Sequence, residues 1–229
     1  FTGEENEDQL GRITTSAGDV DGDGLVDLLL TAHGHSAAGM LAGKAYVVLG
    51  ASLGEPGVYP VSEADYGFLG EAAEDLAGHG AGPAGDVDED GLDDLWISGY
   101  LHDGSTADKG RVYLVLGSSL GAPGTRSLGD ADYVFEAEGD NEHLGHEVVS
   151  VGDVDGDGLP DLLTGAYNND ESAVNAGKSY LLLGASLGEP GLYGIEEADY
   201  HLRGEQAGDE SGLVVSGAGD VDGDGEDEI

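Results

Sequence analysis

The stretch DVDGDGLPD, residues 153–161, packs four aspartates into nine residues between two short apolar runs, EVVSVG (147–152) and LLTGA (162–166). The acids fall at positions 1, 3, 5 and 9 of the stretch. Glycine falls at position 6, where a sharp turn needs a positive φ that glycine adopts at least cost. Two β-like runs joined by a loop of this kind read as consecutive strands. The same design stands at DVDGDGLVD (19–27), DVDEDGLDD (86–94) and DVDGDGEDE (220–228), so the motif begins every 67 residues without an insertion.

Other features keep that register. Phe1, Phe68, Phe135 and Leu202 open the units, and GKAYVVLG (43–50), GRVYLVLG (110–117) and GKSYLLLG (177–184) follow the loops. Then come SLGEPGVYPVSEADY (52–66), SLGAPGTRSLGDADY (119–133) and SLGEPGLYGIEEADY (186–200). Residues 1–229 thus read as a single repeat domain with units 1–67, 68–134, 135–201 and a truncated 202–229. Each full unit offers four strands: one into the acidic loop, one out of it (DLLLTA, DLWISG, DLLTGA), the GKAYVVLG type, and one near Ala-Asp-Tyr. Four strands in a unit of this length describe a propeller blade, since the coils of a stacked β-solenoid usually take fewer residues. The expected fold is all-β: blades of four antiparallel strands, three full blades plus a partial fourth that keeps its first two strands. A closed propeller takes about four to eight blades. The chain is therefore expected to be a segment of a longer polypeptide, with further blades beyond Ile229 and before Phe1, or else to associate through its sheet edges.

Composition agrees with a turn-rich β protein. The 43 glycines follow no Gly-X-Y period, and 39% hydrophobic content is enough for a packed core. Seven Lys and Arg against 48 Asp and Glu give a net charge of −41. Such a surface has no basic stripe for phosphates, which argues against nucleic acid and anionic membranes and leaves cations and cationic surfaces as partners. There is no cysteine to staple the fold. No apolar run approaches the roughly 18 residues of a membrane span, so no membrane insertion is expected, and no signal-peptide pattern opens the chain.

Four carboxylates in one nine-residue loop repel one another, by roughly 1–4 kcal/mol for each pair about 4 Å apart. A solvated turn does not need them; a cation does. Ca²⁺ takes six to eight oxygens, and such a loop can supply carboxylates from positions 1, 3, 5 and 9 and a backbone carbonyl from position 7. The candidate ligands are Asp19, Asp21, Asp23, Leu25 and Asp27 in the first loop, and Asp86, Asp88, Asp90, Leu92 and Asp94 in the second. They are Asp153, Asp155, Asp157, Leu159 and Asp161 in the third, and Asp220, Asp222, Asp224, Glu226 and Glu228 in the fourth. One Ca²⁺ per repeat, up to four, is expected, the fourth held least securely because position 9 is glutamate there. An EF-hand needs Glu at position 12 and flanking helices. Leu30, Ile97 and Thr164 stand at that position inside β-like runs, which excludes it. Mg²⁺ retains waters and avoids all-protein cages.

Together the DxDxDGxxD loop, its flanking strands and the G-[KR]-x-Y-x-x-x-G strand resemble FG-GAP repeats, the blades of the integrin α-subunit propeller and of many bacterial surface proteins. The resemblance implies a seven-bladed propeller, loops joining the first two strands of each blade, and extracellular adhesion or recognition. The name-giving elements depart: the Phe-Gly pair is Leu10-Gly11, Ala77-Gly78, Leu144-Gly145 and Ser211-Gly212, and Gly-Ala-Pro becomes Thr31-Ala32-His33, Ser98-Gly99-Tyr100 and Gly165-Ala166-Tyr167. The function expected is a non-enzymatic, calcium-binding structural, adhesion or recognition module at the cell surface or secreted. Its partners would be calcium, a protein or glycan ligand, or further blades of the same chain. The alternative is the non-catalytic propeller portion of a larger secreted or surface hydrolase. No catalytic motif breaks the repeat. His33 and His35 read as surface histidines, Trp96, Tyr46, Tyr113 and Tyr180 as packing residues, and Lys44, Arg111 and Lys178 as screens for the acids of a neighbouring blade.

Overall fold

A computed structural model describes residues 1–103 and 107–229. It is all-β, with three blades. The first contains β1 (Leu10–Gly18), β2 (Asp27–Ala32), β3 (Lys44–Val48) and β4 (Tyr66–Leu69). The second contains β5 (Ala81–Gly85), β6 (Asp94–Gly99), β7 (Arg111–Val115) and, after the short strand β8 (Gly124–Ser127), β9 (Tyr133–Glu136). The third contains β10 (Val148–Gly152), β11 (Asp161–Ala166), β12 (Lys178–Leu182) and, after β13 (Gly191–Gly194), β14 (Tyr200–Arg203). Within each blade, neighbouring strands pair antiparallel in chain order.

The apolar runs of the middle strands are explained by their place. Strands β6, β11, β3 and β12 are buried along their whole length because both their faces are covered: β6 lies between two blades, Leu10, Val61 and Ala64 close the outer face at β3, and Val149, Val154 and Val215 close it at β11 and β12. The core lies between blades. Leu29, Val47 and Phe68 of the first pack with Leu95, Ile97 and Tyr113 of the second. Trp96, Val112 and Leu114 of the second pack with Val148, Leu162 and Tyr180 of the third. Trp96 and the three repeat-related tyrosines, Tyr46, Tyr113 and Tyr180, are all buried, as their strand positions predicted.

Charge ties the blades as well. Glu71, which follows β4, accepts from Arg111 at 2.9 Å and from the Tyr113 hydroxyl at 2.8 Å in the next blade. Glu138, which follows β9, accepts from Lys178 at 2.5 Å and Tyr180 at 3.1 Å in the third. Glu4 and Lys44 repeat the pair at 2.7 Å. The register shared by Lys44, Arg111 and Lys178 is therefore an ion-pair register, inter-blade at Arg111 and Lys178 and made with the segment before β1 at Lys44.

Two features differ from the sequence-based expectation. First, β8 of the second repeat adds in parallel to β4, and β13 of the third adds in parallel to β9, so the first two blades each carry a fifth, donated strand. A parallel bridge from Thr2 to Pro60 repeats this arrangement one unit earlier. Second, among the described residues no strand follows β14. The segment 204–229 holds only the bridges Gly177–Ser211 and Gly219–Glu228. The expected pair of strands in the partial fourth unit does not form, because the equivalent of β2 there is limited to Glu228-Ile229 and offers no ladder.

Candidate metal centre

Each of the first three acidic loops connects the first and second strands of its blade, and the fourth is flanked by the Gly219–Glu228 bridge. A register shift just before the loop, at Ser16/Gly18, Pro83/Gly85 and Ser150/Gly152, turns the chain out of the sheet. Glycine at position 6 has φ of 86°, 90°, 96° and 98° in the four loops, with open space where a Cβ would sit. Its requirement is the backbone angle alone.

The position-1 carboxylate organises the turn. Asp19 accepts from the N–H groups of Asp23 at 3.1 Å and Gly24 at 2.9 Å. Asp86 does the same with Asp90 and Gly91, both at 3.0 Å. Asp153 accepts from Asp157 at 3.0 Å and Gly158 at 2.8 Å, and Asp220 from Gly223 at 2.6 Å and Gly225 at 3.1 Å. Position 3 accepts from the N–H of position 5, at 3.2 Å for Asp21 and 3.3 Å for Asp88. Asp155 and Asp222 make the same bond at 3.2 Å. Position 5 caps the N–H of position 7: Asp23 with Leu25 at 2.7 Å, Asp90 with Leu92 and Asp157 with Leu159 at 2.8 Å, and Asp224 with Glu226 at 3.0 Å.

Position 9 is different in kind. Asp27, Asp94 and Asp161 are 0% exposed. Each has one oxygen held by the N–H of position 2 (Val20, Val87, Val154) and the other by a glycine after the third strand (Gly50, Gly117, Gly184), at 2.7–2.9 Å. Glu228 keeps only the first of these bonds, from Val221 at 2.7 Å.

Candidate ligand oxygens of Asp19, Asp21 and Asp27 lie within 4.8 Å of one another, as do those of Asp153, Asp155 and Asp161. In the second loop the three that converge are Asp86, Asp88 and Asp90, and in the fourth Asp220, Asp222 and Asp224. Asp23, Asp157, Asp94 and Glu228 stand outside these triplets. Burial pushes Asp94 up to about 7, with the Gly117 and Val87 N–H groups opposing and repulsion from Asp88 and Asp90 adding to it. Asp27 and Asp161 are raised by burial in the same way, and Asp88 by burial and then by Asp90. A buried carboxylate beside two or three others is costly in its ionised form until a cation arrives. The donors are oxygens only, without histidine or thiolate, which fits a hard divalent cation.

Two groups of residues that matter to the loops were not singled out from sequence. Asp65, Asp132 and Asp199 of the Ala-Asp-Tyr element accept from Leu49, Leu116 and Leu183 N–H at 2.8–2.9 Å and from a serine hydroxyl, fixing the turn after the third strand. Asp93 and Asp227, at position 8, reach back to the preceding loop. Their alternation with Val26 and Pro160 is visible in the repeat, but its partner is 74 residues away.

The histidines lie at the opposite end of the blades from the loops, and the expectation of surface histidines is corrected. His35 is buried and 3.2 Å from Glu4, and His33 is half-buried. His146 donates to the Leu213 carbonyl at 3.1 Å, and His79 stands 3.2 Å from the His146 carbonyl. Burial, with Arg12 adding, brings His79 down to about 4. These rings fill the gaps between blade ends, which a sequence without neighbours cannot show.

Residues 147–182, which run from β10 through the third loop to β12, match the FG-GAP repeat family. The chain is 29% identical over 216 residues to integrin alpha-5 of Xenopus laevis, covering 89% of this chain and 19% of that protein. It is 31% identical over 165 residues to human integrin alpha-IIb, covering 68% and 14%. With Drosophila melanogaster integrin alpha-PS2 it shares 29% over 147 residues, covering 60% and 10%. One repeat of the chain thus matches the FG-GAP family, its propeller blades are similar to integrin α subunits, and it spans less than a fifth of the length of these relatives.

Proposed function

We propose that the chain is a calcium-binding, non-catalytic adhesion or recognition module of the extracellular space, one Ca²⁺ to each acidic loop. The observation that carries this is the buried position-9 carboxylate. Asp27, Asp94 and Asp161 are wholly buried at the mouth of a carboxylate-rich loop, where burial raises each carboxyl against its two backbone N–H bonds and a bound cation would favour the ionised form. The ligand sets are the five residues of each loop given above, the position-7 carbonyls of Leu25, Leu92, Leu159 and Glu226 completing the carboxylates. The fourth loop is weakest, since Glu228 lacks the second backbone bond and Asp220, Asp222 and Asp224 are all exposed.

The integrin resemblance supports a cell-surface or secreted setting, a protein or glycan ligand, and a ring of seven blades completed by further blades of the polypeptide. Among the described residues, no helix is long and apolar enough to cross a membrane. Extracellular calcium sites typically bind at about 10⁻⁴–10⁻³ M. Calorimetric titration of chelator-stripped protein with CaCl₂ tests the reading: binding in that range is expected, and a dissociation constant below about 10⁻⁷ M would point instead to an intracellular buffer.

A further inference from the structure

We infer that the calcium loops act in pairs, the first with the second and the third with the fourth, through the aspartate at position 8 of the even-numbered loops. The inference rests on the calcium reading above and goes beyond it in assigning Asp93 and Asp227 as positioning residues that hold no ion.

The geometry is a two-bond clamp. Asp93 Oδ2 accepts from the N–H of Asp19 at 2.7 Å, and the Asp93 N–H donates to the Asp19 carbonyl at 3.1 Å. Asp227 repeats both bonds with Asp153, at 3.0 and 2.8 Å. In each case the residue clamped is position 1 of the preceding loop, whose carboxylate organises that loop. The clamping residue sits between positions 7 and 9 of its own loop, Leu92 and Asp94 or Glu226 and Glu228. Asp90 and Asp224, members of the converging triplets of these loops, accept from the N–H of Leu92 and Glu226 at 2.8 and 3.0 Å, so an ion held by the triplet fixes the backbone one residue before the clamp.

Space has been kept for it. A Cβ added to Gly18 would stand 2.3 Å from Asp93 Oδ2, and one added to Gly152 would overlap Asp227. The position-7 side chains dock beside it: Leu92 lies against Gly22, and Glu226 against Gly156. Between the second and third loops the design fails at every point. Position 8 is Pro160, with neither an N–H nor a carboxylate, and it rests on Gly85 by carbon contact alone, 3.0 Å from where a Cβ would be. Position 4 of the second loop is Glu89, at φ 58°, where the first and third have glycine.

Ordering one loop thus prepays the ordering of its neighbour, which is positive coupling without movement of either blade. The third and second loops, lacking the clamp, bind independently.

Site-resolved calcium titration tests this. The amides of Gly24, Gly91, Gly158 and Gly225 each donate to the position-1 carboxylate of their own loop, so their NMR shifts report the four loops separately. Chelator-stripped protein is titrated with CaCl₂. In Asp88→Ala, which disables the second loop, the Gly24 midpoint should rise about five-fold or more while Gly158 and Gly225 stay in place. In Asp155→Ala, Gly225 should move and Gly24 and Gly91 should not. Asp93→Ala, with every proposed ligand intact, should raise the Gly24 midpoint by itself, and adding Asp88→Ala should raise it no further. An unmoved Gly24 in Asp88→Ala, or equal shifts at Gly24 and Gly158, overturns the pairing and leaves the calcium reading standing. No calcium response at any of the four glycines overturns both. The loops left intact in each variant serve as the internal check that it has folded.

Discussion

Asp94→Asn separates a carboxylate that holds an ion from one that merely caps a turn. In the calcium-free fold the acid is raised from 3.8 to about 7. At 1.36 kcal/mol per pH unit, ionising it costs the fold about 4 kcal/mol near neutral pH. Asparagine removes that cost. Its amide NH₂, however, must face either the Val87 or the Gly117 N–H, both of which now donate to carboxylate oxygens at 2.8 Å, and a buried unmade bond costs about 1–3 kcal/mol. In EDTA at pH 7.5 the variant should accordingly be no less stable than wild type, and by up to about 3 kcal/mol more so. In calcium the order of benefit changes. Each site saturated a hundred-fold above its dissociation constant adds about 2.7 kcal/mol, and the variant should gain about that much less from calcium than wild type does. Urea unfolding followed by circular dichroism, with and without 10 mM CaCl₂, gives the four free energies. An equal calcium increment in both proteins, or a loss above about 2 kcal/mol in EDTA, would refute the reasoning by showing Asp94 to be a structural cap.

The pH dependence has a definite sign. A carboxyl raised in the fold stabilises it below the unfolded pKa and loses that contribution as pH rises through the folded one, so calcium-free wild type should gain stability relative to Asp94→Asn as pH falls from 7.5 toward 5, while His79, brought down to about 4, opposes the gain equally in both proteins. In saturating calcium the trend should reverse, because protons then compete with the ion. Gly18→Ala should cost more than Gly24→Ala in thermal melts. Both need positive φ, worth about 1–2 kcal/mol, but only Gly18 has Asp93 in the space a Cβ would take. Glu138→Ala should cost roughly 3 kcal/mol in urea unfolding, since it leaves the buried Lys178 ammonium and the Tyr180 hydroxyl without their shared acceptor. A loss below about 1 kcal/mol there would mean that Glu171 alone suffices for Lys178.

What was legible in the sequence was what repeats. The 67-residue period set the blades, and the alternation of acids at odd positions with glycine at position 6 set the loops. The apolar middle strands were legible because both of their faces are covered. Strands β8 and β13 were not legible. GTRS and GLYG carry little apolar alternation, and each is ordered by the edge of a blade about 58 residues earlier in the chain. The burial of Asp27, Asp94 and Asp161 was hidden for a related reason, since it depends on Gly50, Gly117 and Gly184 closing over them from the end of the third strand. His35 misled because residue type suggests a wet surface, whereas Glu4 and Tyr46 of its own repeat close over it.

Ion stoichiometry of the whole chain is the most direct test of the central claim. Native mass spectrometry of chelator-stripped protein titrated with CaCl₂ into the millimolar range should show bound calcium accumulating to four ions, the last appearing only at the highest concentrations. Asp155→Ala should lower the final count by at least one, the fourth loop weakening with the third. A chain that remains free of calcium at millimolar concentration, with its melting temperature unchanged by EDTA, would contradict the account.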